Sequence, residues 1–167
     1  MSEDRGALVA TMEPEREASE REAFLLCRLV ATRLAQEVDA VCRSEGLSEP
    51  QYAVLWVVCL ADEDDGIPVG AIGDGLINAT ADVSRAVDRL EAAGLVARHR
   101  SATDRRVVLV RATDDGARLF ARATAKIKAL HCAQFAALSD GGLAELRGLL
   151  NTTFWTGVEP KARGAAS

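Results

Sequence analysis

Seven arginines (85, 89, 98, 100, 105, 106 and 111) lie among the twenty-seven residues from Arg85 to Arg111, facing three acids, Asp88, Glu91 and Asp104. The local excess of four positive charges sits in a chain whose net charge is −5. A guanidinium offers five N–H donors and no acceptor, so this cluster suits phosphate oxygens and base edges. Acid concentrates elsewhere, before Phe24 and in the run Asp62, Glu63, Asp64, Asp65. A basic patch on an acidic body limits non-specific binding to a polyanion and still allows a specific dock. The other groups with chemical reach are four cysteines, Cys27, Cys42, Cys59 and Cys132, and two histidines, His99 and His131. No Cys-x-x-Cys pair occurs, so zinc-site spacing is absent, and three of the cysteines fall in apolar helical patterns where they act as small hydrophobes. Cys27, early in the first long helix, is the redox candidate, because the N-terminal half of a helix can lower a thiol's pKa. No Ser-His-Asp order, glycine-rich phosphate loop or metal spacing supports catalysis, so neither enzyme activity nor a cofactor is expected.

The elements that must position the arginines follow from a change of period. Val83, Ala86, Val87, Leu90 and Ala93 recur at three- and four-residue spacing, the buried face of a helix. Asp82, Ser84, Arg85, Asp88 and Arg89 occupy its opposite face, where a helix in a major groove could present them to bases and phosphates. Thr80 suits the N-cap and Gly94 the stop. After Gly94 the apolar spacing switches to alternation, giving one strand from Leu95 to Arg100 and another from Val107 to Arg111. Ser101 to Arg106 forms the hairpin loop between them. A hairpin tip bearing arginine can enter a narrow minor groove, where the negative potential is enhanced.

The stretch SRAVDRLEAAGLVAR followed by ATDRRVVLVRATDDG resembles the MarR family of winged-helix transcriptional regulators. It carries that family's order of recognition helix, Gly-Leu-Val, a wing with Asp-x-Arg, and Thr-x-x-Gly opening the next helix. The resemblance extends weakly over roughly Phe24 to Trp155 and departs from the family at Ala112, where leucine is usual. It implies that Asp104 orients Arg106, that Arg106 is the wing arginine of the minor groove, and that Arg105 lies near a phosphate. It further implies a small effector, often phenolic or otherwise anionic and aromatic, bound between the dimer helices and the DNA-reading lobe. Arg33, Tyr52, Trp56 and Phe120 are the candidates for that pocket.

The remaining sequence completes a mainly α fold with a small antiparallel β wing: a winged helix-turn-helix between N- and C-terminal dimerisation helices. Residues 1–20 read as an acidic tail, either disordered or a frayed helical extension, with Ser19 able to cap a first dimerisation helix over 21–46. The DNA-binding lobe spans 47–112. Within it, Ser48 and Gln51 make a capping box, with Pro50 in the first turn, ahead of a helix lined by Tyr52, Leu55, Trp56, Cys59 and Leu60. Ile67, Pro68 and Val69 form a short edge strand that should pair with the wing. Val69 to Ile77 is a short third helix weakened by three glycines, followed by a turn at Asn78 and Ala79. Residues 113–157 hold the C-terminal dimerisation helices, opened by Thr113 and by Ser139, and 158–167 a disordered tail. The first and last helices carry more apolar surface than one small winged domain covers, which predicts a two-fold dimer. Two recognition helices one DNA turn apart would then read a pseudo-palindromic duplex operator. Absence of a bilayer-length apolar run or a signal-peptide pattern gives the expectation of a soluble, cytoplasmic protein. The alternatives are a thiol-based redox regulator using Cys27 and a dimeric helical interaction protein or enzyme that no longer binds DNA.

Overall fold

The computed structural model describes residues 3–61, 65–76 and 82–155. The chain divides into two compact units, Met1–Ile127 and Lys128–Ser167. In the first unit α1 (Glu3–Ser44) leads to α2 (Glu49–Leu60), β1 (Ile67–Pro68), α3 (Val69–Ile72), a 3-10 turn (Gly73–Gly75), α4 (Val83–Ala92), β2 (Val96–Arg100) and β3 (Val108–Ala112). Helix α5 (Asp114–Gln134) begins in this unit and runs into the second, which holds α6 (Asp140–Trp155). Among the described residues no helix is long and apolar enough to cross a membrane.

The three strands make one antiparallel sheet in the order β1-β3-β2. Ile67 and Pro68 pair with Val110 and Leu109, and the wing hairpin pairs Val96 with Ala112 through to Arg100 with Val108. The edge strand therefore joins the wing as expected, though it ends at Pro68 and Val69 opens α3, and proline sits where a missing amide costs little. The core lies between α2, α3, α4 and the sheet. Val54, Leu55, Ile72, Val87, Leu90 and Val110 are fully buried there, each worth about 1.5–3 kcal/mol relative to exposure.

Helix starts follow local chemistry. Ser48 accepts from the Gln51 amide while the Gln51 side chain accepts from the Ser48 amide, a complete capping box with Pro50 beside it. Thr113 Oγ1 accepts from the Gly116 amide at the start of α5, and Ser139 Oγ accepts from Gly142 at the start of α6.

Four expectations need correction. Helix α1 starts at Glu3, ahead of residue 21, so residues 3–20 are a helical extension and not a disordered segment, and Ser19 does not cap the helix; its hydroxyl donates to the Glu15 carbonyl one turn back. Alanine, glutamate and arginine propagate a helix without an apolar stripe, aided by pairs such as Arg16 with Glu20. The third helix is shorter than Val69–Ile77, because it tightens into the 3-10 turn at Gly73; Ile77, Asn78 and Ala79 lie outside the described residues. Trp56 and Leu60 stand 44% and 57% exposed, since the inward face of α2 runs through Tyr52, Val54, Leu55 and Val58. The recognition helix is capped by Asp82, whose Oδ1 accepts from the Arg85 amide at 3.1 Å; the expected cap, Thr80, lies outside the described residues.

Candidate nucleic-acid interface

Helix α4 presents Ser84, Arg85, Asp88 and Arg89 to solvent and buries Ala86, Val87 and Leu90. Its end is set by Gly94, at φ +71°, where the Leu95 amide donates back to the Leu90 carbonyl at 2.9 Å. This left-handed closure, which glycine adopts without strain, turns the chain directly into β2. Asp82 both caps the helix and lies 3.3 Å from Arg85 Nε, so its carboxylate aims Arg85 and does not stand free toward a base. Thr80 lies outside the described residues.

The wing tip is held by its own polar residues. Ser101 Oγ accepts from the Thr103 and Asp104 amides, and the Ser101 amide donates to the Val107 carbonyl. Asp104 Oδ1 accepts from the Arg106 amide at 2.9 Å, so Asp104 shapes the backbone under Arg106. Arg100 Nη1 donates to the Arg105 carbonyl at 3.1 Å. Arg105 and Arg106 are exposed, and among the described residues neither they nor Arg89 make an ion pair. Uncompensated guanidinium groups on a fixed turn are suited to phosphate and groove contact.

The base of the wing is tied to α5. Thr113 Oγ1 donates to the Gly94 carbonyl at 2.7 Å, and the Thr113 amide donates to the Leu95 carbonyl at 3.0 Å. A Cβ on Gly116 would stand 1.9 Å from the Leu95 carbonyl oxygen, so the approach of helix to hairpin requires glycine there. Ala112, the departure from the family pattern, packs half-buried against the core beside these contacts.

Sequence reasoning did not find the role of Arg98. Its guanidinium lies 2.6 Å from Asp88 Oδ1 and 2.6 Å from Glu91 Oε2, and its amide donates to Glu91 Oε1 at 3.2 Å. The hydrogen bond to Asp88, against the opposing effect of burial and with help from Glu91, holds this guanidinium more firmly in its charged form. Alternation along β2 marks Arg98 as one of several strand arginines, and only the fold brings it over α4.

The expected effector residues come together in part. Tyr52, Trp56 and Phe120 form a cluster with ring centroids 5.9–6.2 Å apart, and Tyr52 Oη lies 3.2 Å from Thr124 Oγ1. Burial pushes the Tyr52 phenol above its ordinary pKa, which keeps it neutral. Tyr52 is buried in the core, whereas Trp56 leaves an aromatic surface open to solvent. Arg33 pairs with Glu37 along α1, its guanidinium engaged by that carboxylate. In the second unit, a separate groove of about 610 Å³ is lined by Phe135, Leu143, Leu146 and Leu150, with Asp140 and Arg147.

Cys27 is exposed but sits well inside α1 instead of in its first turns, so it is beyond reach of the helix N-terminal field. Cys42 is buried and its thiol is pushed up to about 11 by that burial and by Glu49 and Asp39. Burial raises Cys59 as well. Among the described residues no cluster of His, Cys, Asp and Glu is arranged to hold a metal ion.

Comparison with known proteins agrees with this architecture. A family model described as MarR family matches residues 45–107. A MarR-family transcriptional regulator from Rhodococcus sp. RHA1 is 28% identical, with a TM-score of 0.64 over 83% of this chain and 95% of that one. CouR from Rhodococcus jostii RHA1, solved bound to p-coumaroyl-CoA, is 30% identical, with a TM-score of 0.62 over 82% and 94%. A cysteine-to-serine mutant of MarR from E. coli, complexed with operator DNA, shares the fold at 24% identity, with a TM-score of 0.66 over 77% and 90%. No curated protein matches the chain. The chain belongs to the MarR family of transcriptional regulators and has its winged-helix fold.

Proposed function

We propose that the protein is a homodimeric, sequence-specific DNA-binding regulator, a repressor that a small phenolic or anionic aromatic ligand releases from its operator. The observation that carries the reading is the pairing of an exposed polar face on α4 with two exposed arginines that, among the described residues, make no ion pair, on a hydrogen-bonded wing turn. Ser84 and Arg85 read bases in the major groove, with Arg89 toward phosphate. Arg106 enters the minor groove and Arg105 lies at its edge. Asp82 and Asp104 position these groups by capping the helix and shaping the turn, and Thr80 completes the proposed surface.

Dimerisation is supported by apolar side chains that the single chain leaves open. Phe24, Leu25, Leu26, Leu29 and Val30 on α1 are each more than half exposed, and the second unit carries its own apolar groove. A contiguous patch of this kind normally marks an interface. The cytoplasm, where the operator resides, is the compartment that this function requires.

For the effector, the open edge of the Tyr52, Trp56 and Phe120 cluster offers stacking to an aromatic ring, and the p-coumaroyl thioester held by CouR belongs to the same chemical class. Arg33 would have to leave Glu37 to meet an anionic group. A ligand releases DNA only to the extent that it binds the DNA-incompetent arrangement more tightly. The test is selection of duplexes from a random pool by the wild-type protein, then titration of the bound duplex with p-coumaroyl-CoA and p-coumarate. Enrichment of a pseudo-palindrome and its release by either compound support the reading. Enrichment without release removes this effector class, and no enrichment in low salt removes DNA recognition.

A further inference from the structure

We infer that Arg98 is the positioning residue that locks the wing to the recognition helix, so that Arg106 meets the minor groove in step with Ser84 and Arg85 in the major groove. The inference rests on the DNA-binding reading above. Arg98 is the central residue of β2, and its side chain is only 25% exposed. Its two terminal nitrogens point to different carboxylates, Nη2 to Asp88 and Nη1 to Glu91, which stand one turn apart on α4. With the amide bond to Glu91, three hydrogen bonds join one strand residue to the helix. A planar guanidinium that spans two acids fixes direction as well as distance, which a single ammonium does not.

The contacts continue toward the tip. Across the sheet Arg98 pairs with Val110, which is fully buried, so this point of the strand is anchored to the core. Two residues further, Arg100 reaches the Arg105 carbonyl. A connected set of contacts therefore runs from the carboxylates of α4 through β2 to the backbone beneath the wing arginines. Arg98 itself has its charge satisfied within the protein, so its contribution to DNA affinity is to hold the two reading elements in one geometry. Asp88 is 64% exposed beside Arg89, and this makes a test of sign available. If only charge mattered, neutralising Asp88 would strengthen attraction to phosphates. If the lock matters, it weakens the specific complex.

The experiment uses the full-length protein and the duplex enriched by the wild type, alongside a scrambled duplex of equal length. Affinities are measured for wild type, Arg98→Gln, Arg106→Ala and the double variant, with folding checked by thermal melts. In the wild-type background Arg106→Ala should weaken binding about 10-fold or more. In the Arg98→Gln background the same change should cost less than about 3-fold, because contacts that act as a unit are not additive. Equal costs in the two backgrounds overturn the inference and leave the DNA-binding reading standing. Failure of the wild type to bind any duplex overturns both. If Arg98→Gln does not fold, Asp88→Asn decides. Weaker binding to the enriched duplex with unchanged or stronger binding to the scrambled one supports the lock, and any other pattern overturns it.

Discussion

Arg106 stands on a turn shaped by Asp104, exposed and without an ion-pair partner among the described residues. Arg106→Ala should therefore reduce affinity for the enriched duplex by about 10-fold or more, roughly 1.4–3 kcal/mol, and leave the thermal midpoint unchanged, measured by fluorescence anisotropy and a melt. Glu45 is the contrasting case, a charge used for stability. Its carboxylate lies 2.5 Å from Lys126 and 3.4 Å from Arg122, and the Lys126 hydrogen bond chiefly holds its pKa below the usual glutamate value. Because the folded value is the lower one, the contribution is present above the unfolded pKa and is lost as pH falls through the folded value. Urea midpoints should decline between about pH 5 and pH 3, and Glu45→Gln should flatten that decline; identical slopes would remove Glu45 from the account. The exposed place of the wing arginines was legible in the sequence, because two adjacent arginines in a polar loop between two alternating strands mark a hairpin turn. The roles of Asp82 and Arg98 were not, since a cap is decided by where the helix starts and a clamp by which elements meet.

At the scale of elements, the close contact between the wing base and α5 depends on the absence of a side chain. Gly116 sits in the first turn of α5 against the Leu95 carbonyl, whereas Gly70 in α3 has nothing within 4 Å of a Cβ. Two glycine-to-alanine changes in helices should thus have opposite signs. Gly70→Ala should stabilise by up to about 1 kcal/mol through helix propensity, and Gly116→Ala should destabilise by about 1–3 kcal/mol through overpacking, both read from urea unfolding. Equal effects would mean that the helix and hairpin do not meet as described. The same junction joins the end of the recognition helix, through Gly94 and Leu95, to the helix that carries Phe120, and so offers a route by which an aromatic ligand could bias α4. Element order was readable because apolar spacing switches from helical to alternating after Gly94 and because Ser48, Thr113 and Ser139 are strong caps. The start of the first helix was less legible, since helix propensity without an apolar face in residues 3–20 looks like a solvated tail as readily as a helical extension. The third helix misled in the other direction, as glycines at 73 and 75 tighten it into a 3-10 turn.

For the whole molecule, the exposed stripe on α1 is the feature a single chain leaves unexplained. Leu29 is 68% exposed, so Leu29→Glu should leave the fold of one chain intact while disfavouring apolar association. Sedimentation should show a dimer for the wild type and a shift toward monomer for the variant, with DNA affinity falling in parallel; an unshifted dimer would place the interface elsewhere. Total charge and cysteine content said little about function, because a net charge of −5 conceals the basic stretch and the thiols lie apart from it. On the proposed reading, one chain engages the major groove with α4 and the adjacent minor groove with its wing. Hydroxyl-radical footprinting of the wild type and Arg106→Ala on the enriched duplex tests it most directly. The expected wild-type pattern is two symmetric protections about one helical turn apart, flanked by minor-groove protection that disappears in the variant. A footprint without symmetry, or flanking protection that survives loss of Arg106, would contradict it.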